Sequence, residues 1–198
     1  MNTYLGISSE LGPDDVSDSV AGSAEILFLE GYLYDKPKGM QAFERAVELC
    51  HKAGGKAGIA LSDPFCVDRH RPEFRRLVKS LDYVIGNEHE WASLYQTDLS
   101  AALEQAAQDS GLVVCTRSGH DVIVVRGEEQ AVVPVRRVVP VDATGAGDQF
   151  AAGFLYGLAT GQPLATAGRM GCVAAAEVIS HFGARPETDL KALFRKEG

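Results

Sequence analysis

The sequence predicts an α/β fold: a mainly parallel sheet flanked by helices on both faces, in a single domain spanning residues 1–198. Three observations predict it. Short apolar runs alternate with helical stretches from Glu25 to Gln108. Three Val-rich runs joined by short turns then follow, between Gly111 and Val138. Two Ala/Gly-rich helices come after them, and small residues let helices pack close to a sheet.

Each element has its own warrant. NTYLGI (2–7) reads as a strand and GPDDVSDSV (12–20) as a turn and short helix. EILFLEGYLY (25–34) opens with a strand-like run bounded by Gly31. In the next stretch Phe43, Ala46, Val47 and Cys50 recur at helical spacing, which places them on one face, and Gly54–Gly55 stops the helix. KAGIALSDP is a second strand ended by Asp63–Pro64. RPEFRRLVKSL carries Pro72 near a helix start, with Phe74, Leu77 and Val78 as its apolar face. YVIGN is a third strand, and Asn87 caps the helix EHEWASLYQ. SAALEQAAQ is another helix, with Ser100 as its cap. Of the Val-rich runs, two pair antiparallel through Arg126–Glu129. Helices at 148–160, 164–180 and 187–196 complete the chain.

Composition excludes several classes. The chain is 45% hydrophobic and 23% charged, with a formal net charge of −8 and no basic cluster, which argues against nucleic-acid binding. No apolar run reaches the length of a membrane span, and MNTYLGISSE has neither a basic nor an apolar leader region, so a cytoplasmic location is the expectation. Cys50, Cys66, Cys115 and Cys172 are scattered and read as buried thiols.

The segment VDATGAGDQFAAGF (141–154) carries the chemistry. Gly145 and Gly147 can adopt backbone conformations closed to other residues, and Ala146 adds little bulk. The turn runs directly into a helix. Amides at 145–148 therefore lack intrahelical acceptors, and the helix dipole adds positive potential there. That is an anion site, suited to a phosphate or to the charge that develops in phosphoryl transfer. Asp148 would repel a phosphate unless a hydroxyl lay between them; a carboxylate in that place orients an alcohol and accepts its proton. The plainer alternative is that Asp148 caps the helix. Asp142 holds a cation or fixes the turn.

DATGAGDQFAAGFL resembles the C-terminal signature of the ribokinase-like, or PfkB, family of carbohydrate and nucleoside kinases. GNEHE (86–90) resembles the family's Asn-x-x-Glu motif, TRSGHD (116–121) its Thr-rich nucleotide turn, and FGARP (182–186) its closing loop near a monovalent-cation site. The resemblance covers nearly the whole chain, from Met1 to Arg195. It implies Asp148 as catalytic base and Gly145, Ala146 and Gly147 as the anion hole. It implies that Asn87 and Glu90 act on a Mg²⁺–phosphate network and that Thr116, Ser118 and Gly119 lie along ATP. Asp142 and Thr144, with the backbone near Gly183, would bind K⁺ or another monovalent ion. Ser118 and Asp121 stand where the family usually has glycine. Alone, Asn87–Glu90 also reads as a capping box and Thr116–Gly119 as a plain hairpin turn.

The resemblance also implies a missing part. Family members carry a preceding segment that holds the first strands, the sugar-gripping residues and the lid, so the expectation is a ribokinase-like fold without its N-terminal strands and lid. Loss of those strands uncovers a sheet edge, which predicts a homo-oligomer or another association through that edge. Two functions follow: an ATP-dependent kinase acting on a hydroxyl of a sugar or nucleoside, or a catalytically incomplete nucleotide-binding remnant that needs a partner or upstream segment. Resemblance of MNTYLGIS and of 181–186 to bacterial adenosine-kinase-like members points to a nucleoside acceptor. A dinucleotide-binding oxidoreductase fits poorly, because the glycine turn lies late in the chain.

Overall fold

A computed structural model describes residues 4–197, in two compact units. The first runs through Cys115 and takes in Val125–Gly127; the second holds Thr116–Val124 and the chain from Glu128 onward. Six strands form one sheet in chain order: β1 (Ile26–Glu30), β2 (Lys56–Ala60), β3 (Tyr83–Asn87), β4 (Val113–Arg117), β5 (His120–Arg126) and β6 (Glu129–Val133). The first three are parallel, with Ile26 opposite Lys56 and Gly58 opposite Tyr83.

In the first unit the chain begins with 3-10 turns at Gly6–Glu10 and Pro13–Asp15 and the short helix α1 (Asp18–Ala21). The strand expected over 2–7 is therefore absent from residues 4–7. The Ser8 amide closes onto the Leu5 carbonyl at 3.1 Å, and Gly6 takes a left-handed φ of 57°, so this stretch coils rather than extends. Asn2 and Thr3 of that run lie outside the described residues. After β1 comes α2 (Pro37–Lys52), which buries Phe43, Ala46, Val47 and Cys50 as their spacing requires and packs on β1 and β2. Gly54 ends it at φ 84°, and the Gly55 amide returns to the Cys50 carbonyl at 2.9 Å.

Between β2 and β3 the structure has two helices where the sequence pattern suggested one. α3 (Pro64–Arg69) precedes α4 (Arg71–Val78). Asp63 starts α3 by accepting from the Phe65 and Cys66 amides at 2.6 and 3.1 Å, with Pro64 in the first helical position. Asp-Pro thus opens a helix as well as ending a strand. α5 (Glu88–Tyr95) and α6 (Leu99–Asp109) follow β3. The cap of α6 is Asp98, whose carboxylate accepts from the Ala101 amide at 3.1 Å; Ser100 lies inside the first turn. Trp91, Tyr34, Phe74 and Ile59 are fully buried in this unit.

The Val-rich region makes two tight turns, as the three runs joined by short turns led one to expect. Ser118 and Gly119 link β4 to β5 with φ of 44° and 53°, the pairing of positive angles that suits a two-residue antiparallel turn. Gly127, at φ 57°, begins the turn from β5 to β6. β6 stops at Val133 because Pro134 has no N–H for the ladder. In the second unit α7 (Ala146–Ala159) and α8 (Leu164–Val178) pack face to face, and α9 (Leu190–Glu197) lays Phe194 against Val173 and Ala174. The small residues serve helix–helix as well as helix–sheet contact. A Cβ on Gly153 would lie 2.5 Å from the Met170 carbonyl oxygen, whereas one on Gly168 would meet Val133 of β6 at 2.8 Å.

Candidate functional site

The 141–149 turn is built by the chain on either side of it. The Val141 amide donates to the Ile179 carbonyl at 2.8 Å, which ties the turn to the end of α8. Asp142 then accepts from two amides, Thr144 at 2.9 Å on Oδ1 and Gly183 at 3.1 Å on Oδ2. The Thr144 amide first, then its hydroxyl and the Gly183 amide, hold the Asp142 carboxyl below the usual carboxylate range. The structure therefore brings Asp142, Thr144 and Gly183 together, and the bond to Gly183 spans 41 residues of sequence.

Gly145 has φ 81°, and a Cβ there would stand 2.8 Å from that of Ala184. Backbone conformation and close approach thus both demand glycine. Gly147 differs from expectation: it sits within α7, at no left-handed angle, and a Cβ on it would meet nothing within 4 Å. The fold does not need glycine at 147; the missing side chain leaves open space in front of the helix.

The donors are also sorted by the structure. The Ala146 amide turns back to the Ala143 carbonyl at 3.3 Å, and Gln149 begins the regular ladder by donating to Gly145 at 2.9 Å. Among the described residues the Gly147 and Asp148 amides have no backbone acceptor. They point out of the positive end of a 14-residue helix. Asp148 stands in the first turn, exposed, and among the described residues its carboxylate makes no hydrogen bond, so it does not cap α7. Its oxygens are open to a ligand.

The closing loop is held from α8. Glu177 Oε1 accepts from the Glu187 and Thr188 amides at 2.9 and 3.0 Å and from the Thr188 hydroxyl at 3.1 Å. The His181 ring is raised in pKa by the Phe182 carbonyl beside it and, further, by Glu177 and Glu187. Thr116 lies half-buried on β4, while Ser118 and Gly119 form the exposed tip of the β4–β5 hairpin. Ser118 takes a left-handed φ of 44°, a backbone conformation that favours glycine.

In the first unit Asn87 and Glu90 form one closed device. The Asn87 side-chain Oδ1 accepts from the His89 and Glu90 amides at 2.9 and 3.0 Å. Glu90 returns both oxygens, Oε2 to the Asn87 amide and Oε1 to its side-chain Nδ2, each at 2.7 Å. This is a full capping box. Yet Glu90 is only 4% exposed, far more covered than a cap requires. Burial pushes its carboxyl up to about 7, against the pull of the Asn87 amide, and the charges of Asp63 and Glu30 push the same way. A carboxylate poised near neutrality is unusual for a structural cap and common at functional sites.

The sequence reading missed a cavity of about 690 Å³ in the first unit, lined by Tyr32, Asp35, Lys36, Asp63 and Arg69 among others. Asp35 anchors it, bonded to Arg69 at 3.0 Å and His70 at 2.8 Å; burial raises its pKa, but those two partners outweigh burial and hold it low. The signal was the charged run after Asp63–Pro64, read only as a strand end and a helix start.

A family model described as pfkB family carbohydrate kinase matches residues 1–190. Among solved structures, a probable sugar kinase of Rhizobium etli CFN 42 is 40% identical with a TM-score of 0.92, covering 96% of this chain and 58% of its own. The adenosine kinase of Sinorhizobium meliloti is 39% identical with the same TM-score, covering 96% and 59%. A ribokinase-II-type protein of E. coli, crystallised with ATP and Mg²⁺, shares the fold at 18% identity and a TM-score of 0.86, covering 96% and 64%. The chain thus spans under two thirds of each of these proteins. Among the described residues no helix is long and apolar enough to cross a membrane.

Proposed function

The chain belongs to the pfkB family of carbohydrate kinases, and from that premise we propose that it carries the nucleotide-binding portion of an ATP-dependent phosphotransferase acting on a hydroxyl of a sugar or nucleoside. The observation that carries the reading is the start of α7. Two open amides, Gly147 and Asp148, and a free carboxylate share one helical turn, with space in front of them. The amides and the helix dipole suit phosphate oxygens, and Asp148 suits the acceptor hydroxyl. As the phosphoryl group approaches, Asp148 takes the proton from that hydroxyl, and the open Gly147 and Asp148 amides stabilise the charge on the transferred group; of the expected 145–147 anion hole, the Ala146 amide is already turned to the Ala143 carbonyl.

The residues present fit the expected cofactors. The unbonded amides fit the phosphates of ATP, which supplies the phosphoryl group, and Glu90 near neutrality fits a role in the Mg²⁺–phosphate network with Asn87. Asp142, held ionised and joined to Thr144 and Gly183, fits a monovalent cation such as K⁺. Thr116, Ser118 and Gly119 are assigned to the nucleotide. A nucleoside acceptor is favoured by the likeness to the Sinorhizobium meliloti adenosine kinase.

A second reading has its own support. The chain spans 58% and 59% of the two rhizobial proteins it resembles, so it also suits a binding module whose acceptor site is completed by other polypeptide. β1 lies at an edge of the sheet and most of it is only half-buried. Tyr4, Ile7 and Phe65 of the same unit are exposed at 94, 86 and 76%, which favours self-association.

The test is ADP formation against a panel of nucleosides and sugars in K⁺ buffer, alongside calorimetric titration with Mg·ATP. Asp148→Asn is expected to lower turnover by about a hundredfold to ten-thousandfold with ATP affinity nearly unchanged. Turnover that survives the substitution removes Asp148 from its role. Binding without turnover in the parent chain selects the second reading.

A further inference from the structure

We propose that Glu177, which lies outside the 142–148 turn and its motif, is the positioning residue that holds that turn in shape by anchoring the loop packed against it. Glu177 is in the last turn of α8, where the helix dipole disfavours a carboxylate. Its side chain is nonetheless only 7% exposed. A covered carboxylate at the negative end of a helix persists only where donors compensate it.

The donors come from the loop. Oε1 collects the Glu187 amide, the Thr188 amide and the Thr188 hydroxyl. Oε2 faces Nε2 of His181 at 3.5 Å; both atoms are buried, and neither has a hydrogen-bond partner among the described residues. Nδ1 of His181 lies 3.2 Å from the Phe182 carbonyl oxygen and 3.8 Å from a Glu187 oxygen. One carboxylate therefore fixes the far end of the loop at 187–188 and abuts the ring that begins it.

What lies between those two ends is the wall of the turn. The Gly183 amide donates to Asp142, the Ala184 carbonyl accepts from the Gln149 side chain at 3.3 Å, and Ala184 closes over Gly145. Gly145 immediately precedes α7, so the loop sets where the helix begins. Releasing the loop at 187–188 frees Gly183 and Ala184, and with them the Asp142 carboxylate that shapes Thr144. The consequence for phosphate rests on the proposed function; the anchoring itself does not.

The test is amide hydrogen exchange on the parent chain, Glu177→Ala and Glu177→Gln, read at Thr144, Gly183, Glu187 and Thr188. Glu177→Ala is expected to speed exchange at all four by about tenfold or more, the effect of losing bonds to a charged acceptor. Amides in the middle of α7 and α8 should keep their protection. Glu177→Gln keeps an oxygen for the 187–188 donors and should restore those two amides to near the parent rate. If Glu177→Ala does not fold, Glu177→Asp decides, since its shorter side chain withdraws the acceptor and should speed the same four amides. Rates at Thr144 and Gly183 within about twofold of parent, or a uniform rise across α7 and α8, would overturn the proposal. Mg·ATP titration of the same proteins is scored separately. A parent chain that does not bind ATP removes the phosphate reading of the turn, while the exchange rates still decide the anchor.

Discussion

Replacing Glu90 by Gln should remove a pH dependence of stability that the parent chain shows between about pH 4.5 and 7. Burial raises the Glu90 carboxyl from its ordinary value of 4.5 to about 7. Across that window the folded chain holds a proton that the unfolded chain has released. Stability therefore falls as pH rises through the window, and levels off above it. At about 1.4 kcal/mol per pH unit, the whole window amounts to about 3 kcal/mol. Gln cannot ionise. Its oxygen still accepts from the Asn87 amide, but its nitrogen faces Asn87 Nδ2, a donor meeting a donor, which costs about 1 kcal/mol at every pH. The stability difference between parent and variant should therefore drift by about 3 kcal/mol in the variant's favour from pH 4.5 to 7.5. Urea unfolding followed by the fluorescence of the chain's one tryptophan, the fully buried Trp91 beside Glu90 in sequence, measures it. A difference that stays constant to within about 0.5 kcal/mol would refute the argument. The carboxylate would then be ionised throughout, and Glu90 would be a cap and nothing more.

Four further outcomes are expected. Gly145→Ala should lower stability by about 2 kcal/mol or more in denaturant melts, because the left-handed backbone and the contact with Ala184 both resist a methyl. Gly147→Ala should leave the fold intact, or firmer by about 0.5–1 kcal/mol, yet weaken Mg·ATP in calorimetry; unchanged affinity would show that nothing approaches that backbone. Asp98→Ala should cost about 1 kcal/mol and Ser100→Ala almost nothing, which the same melts distinguish. Sedimentation at micromolar concentration should show dimers or larger species, and a clean monomer would count against association at the β1 edge.

What the sequence determined by itself was whatever short-range chemistry dictates. The apolar face of α2, the stop at Gly54, the Asn87 cap and the glycine turn before a helix are all set by neighbours within a few residues, and each was legible from spacing alone. Where two local signals competed, the reading erred. Ser100 and Asp98 both suit a cap, and only the carboxylate is placed to meet the Ala101 amide. Asp63–Pro64 suits both a strand end and a helix start, and here it is both. The tertiary structure decided what depends on distant chain. It put Gly183 on Asp142 and Ala184 on Gly145, so that one glycine of the turn is demanded by packing while Gly147 borders open space. It turned an ordinary capping box into a buried carboxyl near neutrality, because burial and the charges of Asp63, at the start of α3, and Glu30, at the end of β1, come from segments distant in sequence. Periodicity and turn chemistry act over one or two helical turns, whereas desolvation and close approach exist only once segments far apart in sequence share a space.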